Sequence, residues 1–298
     1  NVTGDGPLTA ARALAGLAEG LLLWGAVSLI VQGPAPDRVA GVFMVVQTLA
    51  QALIAATLAY LILPDQSVYA GFVFLGILTA GSVLFVAWLP KRLPQQPDKQ
   101  PDTSGFKWNL KQVLLLMLVF MQLSAVGGLW AYLEPLGIHA GLDAHSAQLL
   151  VSAMLFMQVL GGCLGILLVR RVPDYSMLAA AALLLASIAL GMYVTAYQGV
   201  SVFLGLCGLF ALIYLMLTPF QVRIALQIDP SGRIAGLIPG MQLLGCAFGP
   251  LLASRWVSDD NAQPVLLVSV WLSVTALFLV ALLHRRAVSR RVGVARRA

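Results

Sequence analysis

The sequence predicts an all-α membrane protein: nine transmembrane helices forming a six-helix bundle preceded by an incomplete one. Three observations carry this. Of the 298 residues, 60% are hydrophobic and only 10% charged, with a mean hydropathy of +0.90, whereas soluble domains carry about 25% charged residues. Nine apolar stretches of 21 to 26 residues follow one another, and about 20 such residues cross a hydrocarbon core as a helix. A segment near the start recurs in similar form 195 residues later. The first observation excludes a water-soluble enzyme. The net charge of +6 and pI near 9.5 do not indicate nucleic-acid binding, because the basic residues lie scattered between apolar runs.

The predicted spans are 8–31, 38–63, 68–89, 111–136, 146–169, 176–197, 199–222, 233–256 and 264–284. The first follows a polar start without the positive charge of a signal peptide. It is separated from the second by Gln32-Gly33-Pro34-Ala35-Pro36-Asp37, a run of turn-formers. Pro64-Asp65-Gln66-Ser67 closes the second. The third ends at residues 90–110, long, aperiodic and rich in Pro, Gln, Lys and Asp, which reads as a solvated linker. Val172-Pro173-Asp174 and Asp229-Pro230-Ser231-Gly232 separate later spans. Domains are therefore expected at 1–89 (three helices), 90–110 (linker), 111–284 (six helices) and 285–298 (basic tail).

Lys and Arg are disfavoured in short external loops. Placing the linker in the cytoplasm puts all 18 on that side except Arg12 and Arg255. The C-terminus is then cytoplasmic and, with nine spans, residue 1 external. That arrangement and the missing initiator Met lead to the expectation of a truncated chain.

Asp37-Arg38-Val39-Ala40-Gly41-Val42 resembles Gly232-Arg233-Ile234-Ala235-Gly236-Leu237, and at the same offset Gln47 falls on Gln242. Six helices separate the copies, so they share an orientation, the pattern of a parallel repeat of six-helix units. Two six-helix units joined by a polar cytoplasmic loop resemble the major facilitator superfamily. The likeness makes these helices the family's fourth to twelfth, and it implies a secondary transporter for a small solute in a bacterial inner membrane. Arg12 and Gly16 match the family's fourth-helix motif, which Glu19 interrupts. Gly165, Leu167 and Arg170 fit a degenerate loop motif, with Val169 in place of its acid and Val172 in place of its glycine. Gly236, Gly245, Gly249 and Pro250 form G-x8-G-x3-G-P, better known in the family's fifth helix in proton-coupled drug antiporters.

Glu19 is the ionisable residue that most needs a reason, because a charge within a span is costly and usually faces a water-filled path. Arg12, Gly16 and Glu19 share one helical face, with Arg12 and Glu19 about 10 Å apart along the axis. The resemblance turns that face toward a central cavity; the alternative is a snorkelling Arg12 and a Glu19 bonded to a neighbouring helix. Gln122, Trp130, Tyr214 and Thr218 are the further cavity candidates, and Glu19 and Glu134 the candidates for proton coupling. Gln47, Gln51, Gln122, Gln158 and Gln242 place amides at membrane depth, for helix-to-helix bonding or for a solute. The glycines pack helices closely, and Pro219, Pro239 and Pro250 bend or break theirs.

Nothing indicates catalysis. His139, Asp143 and His145 lack a third ligand or a nucleophile, Cys163, Cys207 and Cys246 lack metal-ligand spacing, and no phosphate-binding loop occurs. No metal or cofactor is expected; the expected partners are a small solute, lipid and, under proton coupling, protons, with no nucleic acid. The alternative function is a membrane scaffold or receptor-like subunit that transports nothing.

Overall fold

The computed structural model describes residues 5–31, 33, 35–58, 62, 68–84, 108–195, 199–258 and 261–295. Eleven helices are named: α1 (Asp5–Val31), α2 (Pro36–Thr57), α3 (Val68–Ser82), α4 (Leu110–Ala131), α5 (Leu133–His139), α6 (Ala144–Leu168), α7 (Asp174–Val194), α8 (Val200–Met216), α9 (Thr218–Ile228), α10 (Arg233–Ala253) and α11 (Pro264–Ala295). Among the described residues eight stretches are long and apolar enough to span a membrane, with α8 and α9 counted as one; Ala70–Ser82, in the third predicted span, is apolar but shorter. Residues 85–89 of that span, the linker up to residue 107 and the side chain of Arg12 lie outside the described residues.

Two predicted helices are split, each beside a proline. The fourth breaks at Tyr132 (φ −108°, ψ 14°) into α4 and α5, because the ring of Pro135 conflicts with the carbonyl four residues earlier. The seventh breaks at Leu217 into α8 and α9, with Pro219 in the first turn of α9, where its missing N–H costs nothing. The ninth runs past its predicted end to Ala295. Its Ala and Arg residues favour helix, and proline is absent there.

The apolar core joins α4, α6, α7, α8, α9, α10 and α11, with Leu115, Leu118, Phe210 and Phe220 fully buried. Bare glycines bring the backbones together. A methyl group on Gly249 would collide with Ser124 and Gly128 of α4, and one on Gly161 with Leu212 of α8. Without a hydrophobic drive between helices in lipid, such approach is what associates them. Gly236, by contrast, faces open space, as do Gly16 and Gly205.

α1 and α2 pack onto this body through α6, α9 and α10. Ile30, Ala40 and Val222 form a small apolar cluster there, flanked by Phe43 and Leu226. Outward, α1 exposes Leu14, Leu17, Leu21, Leu22 and Trp24.

Candidate functional site

A cavity of about 590 Å³ lies between α1, α2, α4, α6, α8, α9 and α10. Its lining starts near mid-helix, at Met44, Thr218 and Pro239, and extends to Ala55, Ala131 and Pro250, near the helix ends remote from Arg38, Arg170 and Arg233. The end near those arginines is closed. Gly232 (φ 81°) starts α10 in a backbone conformation that suits glycine, and a methyl there would strike Val31 of α1. Asp37 of α2 pairs with Arg170 at 3.6 Å, and beneath the cavity a hollow of about 20 Å³ lies among Val27, Ile30 and Phe43.

The walls repeat. Glu19, Leu23, Met44, Gln47, Thr48, Gln51 and Ala55 are the residues of α1 and α2 that line the cavity. Adding 195 to each number gives Tyr214, Thr218, Pro239, Gln242, Leu243, Cys246 and Pro250, all of which also line it. The two stretches thus turn equivalent faces to the same space, and the offset read from the sequence is a structural one.

Of the predicted cavity residues, Glu19, Trp130, Tyr214 and Thr218 line the cavity. Trp130 and Tyr214 form a tilted ring pair, with centroids 6.5 Å apart. Gln122 lies behind the wall, with 0% exposure. It begins a buried amide chain: Gln122 donates to the Leu178 carbonyl (3.3 Å), Gln221 donates to Gln122 Oε1 (3.1 Å), and Gln242 donates to Gln221 Oε1 (2.8 Å) and to Thr218 Oγ1 (3.5 Å). Helix-to-helix bonding, one of the two readings of these amides, therefore describes Gln122 and Gln242, while Gln242 also lines the cavity together with Gln47, Gln51 and Gln158.

Glu134 belongs elsewhere. It is exposed at the start of α5 and lines a second hollow of about 730 Å³ with His139 and Ser258. The His139 ring meets Gln263 at 2.8 Å, and Asp143 caps α6 by accepting from the Ser146 N–H at 3.0 Å. Of the glycine motif, Gly245 and Gly249 press on α4, Pro250 lines the cavity, and Gly236 touches nothing within 4 Å.

Two features were not anticipated. Gln221 centres the amide chain; it lies three residues after Thr218 and seven after Tyr214, a helical-face spacing that could have pointed to it. On the basic face, buried Asp174 pairs with Arg223 (3.5 Å) and accepts from Gln227 (2.8 Å), while Arg223 also donates to the Val169 carbonyl. Nearby, Asp229 accepts from Ser231 and from the Ile234 N–H at the start of α10. Burial raises the pKa of its carboxyl, but these hydrogen bonds and Arg233 outweigh burial and hold it below the usual value.

A family model described as Major Facilitator Superfamily matches residues 3–250. The chain belongs to this superfamily. It is accordingly a multi-pass membrane protein of a transporter family, whose members bind small-molecule solutes and are generally not enzymes. No curated protein matches the chain.

Proposed function

We propose that the protein is a secondary active transporter that carries a small solute by alternating access through the 590 Å³ cavity. The observation that carries this reading is the repeat in the walls: equivalent residues of α1–α2 and of α8–α10 line one space. A site bounded by repeat-related units can be exposed to either side by rocking one unit against the other. A scaffold has no need of such a cavity.

The cavity is closed toward the face bearing Arg38, Arg170 and Arg233 and extends toward the other. By the bias of Lys and Arg, the closed face is cytoplasmic, so the conformation is outward-open and the C-terminus lies in the cytoplasm of a bacterial inner membrane. Nine spans in two bundles, divided at residues 90–110, account for this arrangement. Residues 285–298 form the basic end on the cytoplasmic side.

Among the described residues Glu19 is the carboxylate on the cavity wall, and it is the preferred site for proton coupling. Glu134, in its separate hollow, is the second candidate. Flux in proteoliposomes under an imposed pH gradient tests the assignment. Solute movement driven by the gradient and abolished by Glu19→Gln is expected; gradient-driven flux that survives Glu19→Gln removes Glu19 from the coupling role, and absence of any flux rejects the transporter.

A further inference from the structure

Two amide atoms on the cavity wall lack partners. Gln158 of α6 is only 3% exposed, yet its Nε2 makes no hydrogen bond, and neither does the buried Oε1 of Gln47 on α2. Buried donors and acceptors are nearly always met, so an unmet pair beside a cavity points to something that enters it. The two residues lie on helices that pack together. α2 and α6 run antiparallel, with Gly41 against Ile166 and Gly162 against Val45, which brings Gln158 to the level between Gln47 and Gln51. The amides of Gln122, Gln221 and Gln242 are already engaged with one another.

We propose that the cavity binds an uncharged solute with a donor and an acceptor on one edge, a carboxamide or its ureido or lactam equivalent, held between Gln158 and Gln47. The inference rests on the transport reading for the solute's movement, but not for its binding. Charge selects against the alternatives. Among the described residues the lining holds no Lys, Arg, His or Asp, so an anion would be desolvated without a counter-charge. A cation would find Glu19, but an ammonium or amidinium has no acceptor to offer Gln158 Nε2. A neutral carboxamide meets both unmet atoms. The Trp130–Tyr214 pair offers a surface for an attached apolar ring, and the volume lies within the range of ordinary small-molecule sites.

Three probes of nearly one shape separate these cases at pH 7: benzamide, benzoate and benzamidinium. Their binding to the full chain in lipid nanodiscs is read by ligand-observed saturation-transfer NMR titration. Benzamide is expected to bind at least tenfold more tightly than either ion, and Gln158→Leu and Gln47→Leu are each expected to erase that preference. Gln158→Glu replaces the donor by an acceptor and is expected to move the preference to benzamidinium, a gain that a misfolded protein cannot show. Preference of the native protein for either ion, equal binding of all three, no binding, an amide preference that survives both Leu variants, or no change with Gln158→Glu would each overturn the proposal. Benzamide that binds with the expected preference but is not moved across proteoliposomes overturns the transport reading and leaves the site intact.

Discussion

Three glycines of α10, Gly236, Gly245 and Gly249, are expected to respond in opposite ways to the same substitution. A methyl on Gly249 meets the backbone of both Ser124 and Gly128, and one on Gly245 comes within 2.6 Å of the Phe120 carbonyl oxygen. Backbone cannot rotate out of the way as a side chain can, so α10 must shift from α4 and lose the contacts around it. Overpacking of this kind costs about 1–3 kcal/mol; two backbone collisions put Gly249→Ala near ~3 kcal/mol and Gly245→Ala somewhat lower. Gly236 has nothing within 4 Å. There alanine removes only the helix penalty of glycine and stabilises by about 0.5–1 kcal/mol. Reversible denaturation in mixed micelles, titrated with SDS, reads the three variants side by side. Equal losses at Gly236 and Gly249, or a neutral Gly249→Ala, would refute the idea that close backbone approach holds α10 to α4.

Gln221→Leu leaves Gln122 Oε1 unmet in the interior and takes from Gln242 Nε2 its closer acceptor; a loss of about 2 kcal/mol is expected in the same denaturation assay. Replacing Gln122, Gln221 and Gln242 together by Leu should cost less than the sum of the single losses, because no half-satisfied amide remains. Asp229 has a folded pKa below its ordinary value of 3.8, so its contribution is complete above about pH 4 and falls away as pH drops through the lower folded value. Asp229→Asn should therefore lower stability at pH 7 and flatten its decline in acid; an unchanged acid limb contradicts the hydrogen bonding assigned to this carboxylate.

The sequence made the family and the cavity walls legible because both rest on local, periodic signals. Apolar runs fix helices, and the likeness of residues 37–42 to 232–237 fixed an offset that reappears in seven pairs of lining residues. Prolines were an uneven guide: Pro219 stands just after a break, as expected, whereas Pro239 and Pro250 lie within the unbroken α10 and Pro135, not singled out in the sequence, follows the other break. Less legible was what each amide does. Gln122 and Gln158 look alike in sequence, each within an apolar span, yet one is bonded to α7 and α9 while the other borders the cavity. That difference is set by helix rotation and by which neighbour reaches across, neither of which the local pattern records. The glycines divide in the same way, since Gly236 and Gly249 differ only in whether α4 lies opposite. Asp174 and Arg223 are 49 residues apart in the chain and meet only through the packing of α7 on α9.

Alternating access is tested most directly by two distances. Spin labels replace Arg38 and Arg233, repeat equivalents on the basic face, and in a second sample Thr57 and Ser254 at the opposite ends of α2 and α10, with Cys163, Cys207 and Cys246 removed from both. Asp37→Asn then weakens the closed face by breaking the 3.6 Å pair with Arg170. Because that arginine is largely exposed, the pair is worth about 0.2–1 kcal/mol, enough to change the ratio of two conformations by up to about fivefold. Double electron–electron resonance in nanodiscs should show the Arg38–Arg233 distance lengthening in the same fraction of molecules in which the Thr57–Ser254 distance shortens. Two distances that stay fixed, or that lengthen together, would contradict a cavity that opens to each side in turn.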